Sequence, residues 1–350
     1  MTEEHRIVRE VASAVGLAEG EHGVRAVLAT LARLEPVSTR RISRAAALPV
    51  PIVAAVCGEL RKRSVVAEQR PTRLTQAGRE LFAAGRLRLR SAACPSCRSS
   101  GIVVPDELGA LVRELSQAVR GGPPARLELD QCHCTVDTKL RRLLAIHEAG
   151  ALVGRRVLLL GDDDLTALAL GRLVRSLGSH STLASLAVVD VDRALSAFLE
   201  RELEGAPFPV TCVEHDLRRP LPPVLVGAFD TVVTDPPYTT PGARLFLSRA
   251  ADALEGRGDV FLSFGSKRPG AAVELQHVIV EIGFVIQSLR RDFNEYVGAG
   301  VLGGTSHLYH LVTAAELTPS VTGTFAGPLY TADGSDSSES RNRLRSIPPP

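Results

Sequence analysis

The sequence lacks any long run of apolar residues, and this absence argues against a membrane protein. A helix that crosses a membrane needs roughly 18–20 predominantly apolar residues, and no segment of the 350 residues provides them. The first ten residues, MTEEHRIVRE, are charged and do not contain the apolar stretch of a signal peptide. We therefore expect a soluble, cytoplasmic protein without a membrane partner.

The sequence also has little excess charge. Its net charge is +2 at pH 7, which is too small to indicate a nucleic-acid partner by itself. The charge is unevenly distributed, because residues 1–90 contain more Lys and Arg than Asp and Glu, and the remainder is acidic. An acidic C-terminal part suits a cationic substrate, although it also serves solubility.

The N-terminal region, residues 1–90, is predicted to form a small winged-helix-like domain. Apolar residues recur at helical spacing between Val24 and Leu34, and prolines then separate two further short helices. A helix-turn-helix of this kind binds DNA in many proteins. The alternative is a dimerisation or docking module, which we favour because a complete catalytic domain follows.

Residues 91–150 are predicted to connect two domains and to carry a metal site. Cys94 and Cys97 form a Cys-Pro-Ser-Cys turn, and Cys132 and Cys134 follow within about 40 residues. Clustered cysteines in a cytosolic chain favour metal over disulfides. Four thiolates would hold a structural Zn²⁺ and leave no position open for catalysis. The alternatives are four unligated thiols, or His133 in place of one cysteine.

Residues 151–318 alternate strands and helices and predict a Rossmann-like, doubly wound α/β sheet. Five apolar strands come first, and GFVIQSLRR and SHLYHLVTA can form a closing antiparallel pair. Residues 319–350 are predicted to be a flexible tail, because they become rich in Ser, Asp and Pro with little to bury.

Carboxylates follow each of the first four strands of this predicted sheet. Ligands of doubly wound sheets bind beyond the carboxyl ends of the strands, so these side chains should meet there. Such a cluster would repel itself unless a cation occupied it. The acidic residues at the four strand ends are Asp162, Asp163 and Asp164; Asp190 and Asp192; Glu214 and Asp216; and Asp235.

The glycine-rich turn of a dinucleotide-binding protein is absent. Gly161 is present after the first strand, but three aspartates stand where the phosphates of NAD would be received. This argues against pyrophosphate binding and favours a sulfonium or ammonium ligand. Asp190 and Asp192 are placed to bind ribose hydroxyls and Asp216 to accept from an adenine amino group. Helix capping is the alternative for Asp192 and Asp216.

The segment Asp235-Pro236-Pro237-Tyr238 is the most specific motif in the chain. Two prolines make a rigid turn that positions Asp235 and Tyr238. The carboxylate can accept hydrogen bonds from an amine, and the aromatic ring can stack on that amine. An (Asp/Asn)-Pro-Pro-aromatic turn is typical of S-adenosylmethionine-dependent enzymes that methylate amino groups.

Together, Gly-Asp-Asp-Asp at 161–164, Val-Asp-Val-Asp at 189–192 and Asp-Pro-Pro-Tyr at 235–238 resemble the branched-chain polyamine synthase family. The resemblance implies an aminopropyltransferase that uses decarboxylated S-adenosylmethionine and spermidine or a related polyamine, and that forms a homodimer. It implies that Asp164 orients and deprotonates the attacking amine. Asp162 and Asp163 would help to hold the cationic substrates, and Asp235 with Tyr238 the acceptor nitrogen.

Two other functions remain open at this point. An enzyme that uses intact S-adenosylmethionine would transfer a methyl or a 3-amino-3-carboxypropyl group to an amine. It would need a cation facing the methionyl carboxylate, and Arg244, Lys267 and Arg268 are the candidates. A transcription regulator with a small-molecule sensing domain would instead bind DNA through residues 40–75. The acidic site argues against the regulator, because a sensor has little need of a positioned base.

Overall fold

The computed structural model describes residues 3–46, 48–82, 101–177, 183–265, 269–297, 304–314 and 316–331. The chain divides into two compact units. The first contains residues 1–101, 265–272 and 295–306, and the second contains residues 102–264, 273–294 and 307–350.

The N-terminal part of the first unit is a group of short helices around an apolar core. Its buried core includes Val27 and Leu31, which lie at the helical spacing seen in the sequence. Ile42 and Leu60, from the two following helices, are buried in the same core. Two isolated antiparallel bridges join Val37 to Thr72 and Val66 to Leu74. The winged-helix assignment stays a prediction. The helices are α1 (Glu3–Val15), α2 (Gly20–Leu34), α3 (Thr39–Ala46), α4 (Val50–Lys62) and α5 (Gln76–Leu81).

No single helix in the described part of the chain is long and apolar enough to cross a membrane. Only α3 and α4 counted together reach the required length and composition, and they are bent by 108° relative to each other.

Within the described residues, seven strands and six further α-helices follow along the chain. The helices are α6 (Gly109–Arg120), α7 (Val136–Glu148), α8 (Thr166–Leu177), α9 (Arg193–Glu202), α10 (Thr240–Ala253) and α11 (Pro269–Ile282). The strands are β1 (Arg156–Leu160), β2 (Ser185–Asp190), β3 (Val210–Glu214), β4 (Phe229–Thr234), β5 (Leu254–Phe264), β6 (Phe284–Glu295) and β7 (Thr305–Thr313).

The strands form one sheet in the order β3-β2-β1-β4-β5-β7-β6. Strands β1 to β5 run parallel to one another, and β7 pairs with β5 in the antiparallel direction. The prediction of a doubly wound sheet is therefore confirmed. The order reverses at β1, where β2 lies on one side and β4 on the other, and ligands of such sheets bind at this switch point.

Both faces of the central strands β1, β2 and β4 are buried, which explains their continuous apolar sequences. In β1, Val157 and Leu159 belong to the core on one face, and Leu158 and Leu160 to the core on the other. Alternate residues of a strand point to opposite faces, so only a strand covered on both sides needs apolar residues throughout.

Part of the region predicted as a connector, residues 91–150, packs against the sheet. Residues 102–150 belong to the second compact unit, and α7 within them buries Leu140, Leu143 and Ile146 in the core shared with β1. An amphipathic helix lowers its free energy by covering an apolar sheet face, and the sequence alone does not say which face it covers.

The tail predicted to be flexible from residue 319 is ordered as far as residue 331. The backbone N–H of Val321 donates to Ser248 Oγ, and that of Phe325 donates to the carbonyl of Arg218. The buried guanidinium of Arg249 donates to the carbonyls of Val321 and Gly323 at 2.9 and 2.7 Å. Residues 332–350, the rest of the predicted tail, lie outside the described residues.

Candidate active site

A cleft of about 580 Å³, counting the part open to solvent, lies at the carboxyl ends of the first four strands. Its acidic lining includes Asp163 after β1, Asp190 at the end of β2, Asp216 after β3 and Asp235 after β4. The predicted meeting of acidic strand ends is thus observed. The remaining lining residues are Leu129, Asp130, Gln131, Gly161, Val189, Val191, His215, Leu217, Pro237, Phe246, Leu329 and Tyr330.

Gly161 begins the turn that carries the three aspartates away from β1. Its φ is +72°, a backbone conformation that side-chain-bearing residues rarely adopt. Its N–H donates to the carbonyl of Val189 at 2.9 Å, and it lines the cleft. Glycine is therefore required here by the backbone and not by a phosphate.

Asp162 lies below the cleft and caps α8. Its carboxylate, 2% exposed, accepts the backbone N–H groups of Thr166 and Ala167 at 2.7 and 2.9 Å. Burial raises the pKa of this carboxyl to about 7, against the lowering effect of those two hydrogen bonds. Asp162 is not among the residues that line the cleft.

Asp190 connects the turns that follow β1 and β2. Its carboxylate accepts the N–H of Asp162 at 3.0 Å and the N–H of Asp192 at 2.8 Å. Burial raises its pKa, although both hydrogen bonds act in the opposite direction. These contacts hold the Asp190 side chain in one orientation at the cleft wall.

Asp163 and Asp164 have different environments although they are adjacent in sequence. Asp163 lines the cleft and accepts the N–H of Cys132 at 3.0 Å. Burial, together with the negative charges of Asp164 and Asp235, raises the pKa of Asp163 well above its ordinary value. A carboxyl in this state is suited to take a proton near neutral pH.

Asp164 is 2% exposed and is held by two partners. Its carboxylate accepts the N–H of Cys134 and the Nη1 of Arg142, both at 2.5 Å. Burial alone would raise its pKa, but the positive charges of Arg142 and Lys139 outweigh burial and hold the pKa well below the ordinary value. Of the two adjacent carboxyls, Asp164 therefore holds a proton less tightly than Asp163.

Arg142 and Lys139 of α7 were not identified from the sequence. Arg142 is 2% exposed and Lys139 0%, and the Nζ of Lys139 donates to the carbonyl of Cys134 at 3.0 Å. One signal was available, because both positions fall at helical spacing on the apolar stripe with Leu143 and Ile146. Basic residues on a buried stripe need acidic partners.

The Asp-Pro-Pro-Tyr turn connects β4 to α10. The Oδ2 of Asp235 accepts from the Nη2 of Arg142 at 2.8 Å. The ring of Tyr238 contacts that of Phe264, with centroids 5.3 Å apart, and Tyr238 is not among the lining residues. The structure thus brings Asp235 to the cleft and packs Tyr238 against the apolar core behind it.

Asp192 caps a helix, which was the alternative to ligand binding, and Asp216 makes a local ion pair instead. Asp192, 3% exposed, caps α9 by accepting the N–H groups of Ala194 and Leu195 at 2.9 and 3.3 Å. Asp216 lines the cleft and is paired with Arg218 at 2.6 Å. Burial would raise the pKa of Asp216, but its hydrogen bonds with Arg218 lower it.

The ordered C-terminal segment contributes to the cleft wall, which the sequence did not predict. Leu329 and Tyr330 line the cleft. The Oγ1 of Thr331 donates to Asp130 at 2.6 Å, and its backbone N–H donates to the same carboxylate at 2.7 Å. Asp130, also a lining residue, therefore attaches this segment to the loop before α7.

No Lys or Arg is among the described residues that line the cleft. Of the three cations considered for a methionyl carboxylate, Arg244 is paired with Glu281 at 2.8 Å. Lys267 and Arg268 lie outside the described residues.

The predicted zinc site stays a prediction. Cys94 and Cys97 lie outside the described residues, and within the described residues no group of three or more His, Cys, Asp and Glu side chains is arranged to hold a metal. Cys134 is buried and Cys132 is intermediate. The backbone N–H groups of these two cysteines hold Asp164 and Asp163, as described above.

Comparisons with known proteins agree on one family. Residues 110–322 match the model of the branched-chain polyamine synthase A C-terminal domain. An uncharacterised protein of Methanocaldococcus jannaschii is 33% identical over 310 residues, which are 87% of this chain and 77% of that protein. The N(4)-bis(aminopropyl)spermidine synthase of Thermococcus kodakarensis is 32% identical over 265 residues, or 73% of each chain.

A solved structure is similar over nearly the whole length. It is the branched-chain polyamine synthase of Thermus thermophilus in complex with N4-aminopropylspermidine and 5'-methylthioadenosine. It superposes with a TM-score of 0.74 at 25% identity and covers 94% of this chain and 98% of that chain.

Proposed function

The chain belongs to the branched-chain polyamine synthase family, and from this membership we propose that it transfers the aminopropyl group of decarboxylated S-adenosylmethionine to the secondary amine of spermidine or a related polyamine. The amine nitrogen forms a bond to the propyl carbon next to the sulfonium, and the carbon–sulfur bond breaks. Its electron pair stays on sulfur, so 5'-methylthioadenosine leaves without charge, and the amine proton passes to a carboxylate.

The observation that carries this proposal is the charge of the cleft. Five aspartates, Asp130, Asp163, Asp190, Asp216 and Asp235, line it, and the described lining contains no Lys or Arg. Carboxylates compensate for the water that a cationic polyamine and a cationic donor lose on binding. The carboxylate of intact S-adenosylmethionine would have to enter the same negative environment. The cleft therefore favours the decarboxylated donor.

For the proton transfer, the two neighbouring carboxylates have complementary properties. Asp164, predicted as the base, is held in place by Arg142 and is not among the residues that line the cleft, which suits a fixed negative charge that orients the amine from beside the cleft. Asp163 faces the cleft and has a raised pKa, which suits the group that receives the proton. We assign the orienting role to Asp164 and the proton to Asp163, which revises the prediction that Asp164 does both.

The roles proposed for the remaining site residues depend on whether each side chain lines the cleft. Asp190, whose carboxylate is fixed at the wall, is proposed to accept from the ribose hydroxyls. Asp216 is proposed to accept from the adenine amino group while paired with Arg218. Asp192 supports the ribose site by capping α9, and Tyr238 supports Asp235 from behind. Asp162 holds the turn that carries Asp163 and Asp164.

Alignment supplies most of the expected acceleration. Holding an unprotonated amine in line with the departing sulfur makes the displacement effectively intramolecular. A homodimer, a structural zinc and a winged-helix N-terminal domain remain part of the proposal. Sedimentation analysis, zinc analysis of the purified protein and DNA titration would test them separately.

The first test is a mass-spectrometric assay with spermidine and either the decarboxylated or the intact donor. With the decarboxylated donor, the mass of spermidine should rise in aminopropyl steps. With the intact donor, repulsion of about 3 kcal/mol should lower kcat/KM on the order of 100-fold or more. Asp164→Asn is the control for site-dependent transfer. Absence of any product from both donors would remove spermidine as the acceptor.

A further inference from the structure

Arg142 is a buried cation that joins the ends of two strands at the site. Its Nη1 donates to Asp164 at 2.5 Å, its Nη2 to Asp235 at 2.8 Å and its Nε to the Oδ1 of Asn294 at 2.8 Å. The three acceptors come from the turn after β1, the end of β4 and β6. One planar guanidinium therefore fixes the relative positions of three segments that are distant in sequence.

Because the arrangement is buried, it costs free energy unless every charged or polar group in it has a partner. Arg142 is 2% exposed, Asp164 2% and Asn294 0%. An ion taken out of water loses several kcal/mol of hydration, so each buried partner requires the others. Such a group does little for stability compared with apolar packing, and its use lies in holding defined charges at defined positions.

The charges around Arg142 are mostly negative. Asp164 and Asp235 contact it directly, and Lys139 and Arg141 on the same helix are further buried cations. The pKa of Asp163 is raised by Asp164 and Asp235 after burial, whereas that of Asp164 is lowered mainly by Arg142. The titratable groups that face this cluster are Cys132, Cys134, Lys139, Asp162, Asp163, Asp164, Asp190 and Asp235.

We propose that Arg142 is a positioning residue that fixes the carboxylates of Asp164 and Asp235 beside the cleft. Without the guanidinium, both carboxylates would lose the orientation that its two hydrogen bonds give them. This inference rests on the proposed function for its kinetic consequences. Its structural consequence can be measured without turnover.

The chain contains a matched control for the loss of such an arginine. Arg156, at the start of β1, also bridges two carboxylates, Asp230 at 2.7 Å and Glu255 at 2.5 Å. It lies at the amino end of the strand, opposite the cleft, and it is not a lining residue. Arg156→Met therefore removes an arginine that also bridges two carboxylates, with a side chain 35% exposed against 2% for Arg142, without touching the site.

The kinetic experiment compares Arg142→Met, Arg142→Lys and Arg156→Met. Arg142→Met should lower kcat about 100-fold, the usual effect of a misplaced catalytic group, with a smaller change in KM for the donor. Arg142→Lys should recover part of kcat because the charge remains while the planar fork is lost. Arg156→Met should keep the wild-type kcat. An Arg142→Met enzyme within threefold of wild type, or no slower than Arg156→Met, would overturn the proposal.

The second experiment compares crystal structures of the wild type, Arg142→Met and Arg142→Lys. In Arg142→Met the carboxylates of Asp164 and Asp235 should leave the positions that they hold beside the cleft, and in Arg142→Lys the displacement should be smaller. Unchanged positions of both carboxylates in Arg142→Met would contradict the inference even if kcat fell. If Arg142→Met does not fold, Arg142→Lys carries both tests. If the wild type transfers no aminopropyl group, the proposed function fails and the crystal structures still decide the role of Arg142.

Discussion

Asp163 and Asp164 show how two identical side chains acquire different chemistry from their surroundings. Asp163 faces a cleft with other carboxylates near it, and its pKa is raised. Asp164 is turned toward α7, where Arg142 and Lys139 lower its pKa against the effect of burial. Acid and base roles within one site are commonly separated by this means, because each pKa follows the local field.

The two residues should therefore give different pH–rate profiles. A base works only when ionised, so the proposed role of Asp163 makes kcat rise as the pH increases through its raised pKa and then level off. Asp163→Asn should lose this rise together with about 10²–10⁴-fold of the rate. In Asp164→Asn the loss should change little with pH near neutrality, because Arg142 and Lys139 lower the pKa of the wild-type carboxyl.

The amine substrate also loses a proton as the pH increases, so the informative quantity is the ratio of wild-type to variant kcat. Glu214→Gln is a suitable control, because it removes one exposed carboxylate from the same edge of the sheet. A ratio for Asp163→Asn that does not change with pH would argue against Asp163 as the base.

Among the elements, the helices that follow the strands begin on carboxylates of the site. Asp162 caps α8 and Asp192 caps α9. A carboxylate at a helix N-terminus satisfies N–H groups that have no partner within the helix and interacts favourably with its dipole. The site turns and the helices are therefore stabilised together, so a substitution there changes stability and activity at once.

Substitutions of Asp192 separate these two effects. Asp192→Ala removes the cap of α9 and should lower the free energy of unfolding by about 1 kcal/mol. Asp192→Asn can still accept from the same N–H groups and should unfold close to the wild type in urea. If Asp192→Asn is stable but loses affinity for the donor, the carboxylate itself binds the ribose, and the supporting role proposed above is wrong.

At the scale of the whole molecule, the C-terminal segment belongs to the catalytic unit. The carbonyls of Val321 and Gly323 accept from Arg249, which is 0% exposed, and Leu329 is 4% exposed. The segment reaches the cleft at Tyr330 and is attached to Asp130 through Thr331. It therefore links the buried core under α10 to the wall of the site.

Two truncations test this arrangement. A chain that ends after residue 318 should be less stable by about 3–5 kcal/mol, because Arg249 loses two carbonyl acceptors at about 1.5–3 kcal/mol each and keeps the carbonyls of Leu217 and Arg218 and its pair with Asp252. A chain that ends after Thr331 keeps these contacts and should melt near the wild-type temperature and retain transfer activity. Equal thermal unfolding of the two truncated proteins would show that the segment does not stabilise the unit.

The alternation of strands and helices and the acidic end of the sheet could be predicted from the sequence. Apolar runs such as Val157–Leu160 have to be buried on both faces, and parallel strands bring their carboxyl ends to one edge. Asp163, Asp190, Asp216 and Asp235 were therefore predicted together, and they line one cleft. The resemblance carried by the Asp-Asp-Asp and Asp-Pro-Pro-Tyr motifs added the family.

The tertiary structure alone decided the surroundings of each carboxylate. Sequence spacing treats Asp162, Asp163 and Asp164 alike, but one caps a helix, one faces the cleft and one pairs with Arg142. Asp235 shares that arginine from 93 positions along the chain and Asn294 from 152. Burial and charge act through space, so the ionisation of each carboxyl depends on neighbours that come together only when the chain folds.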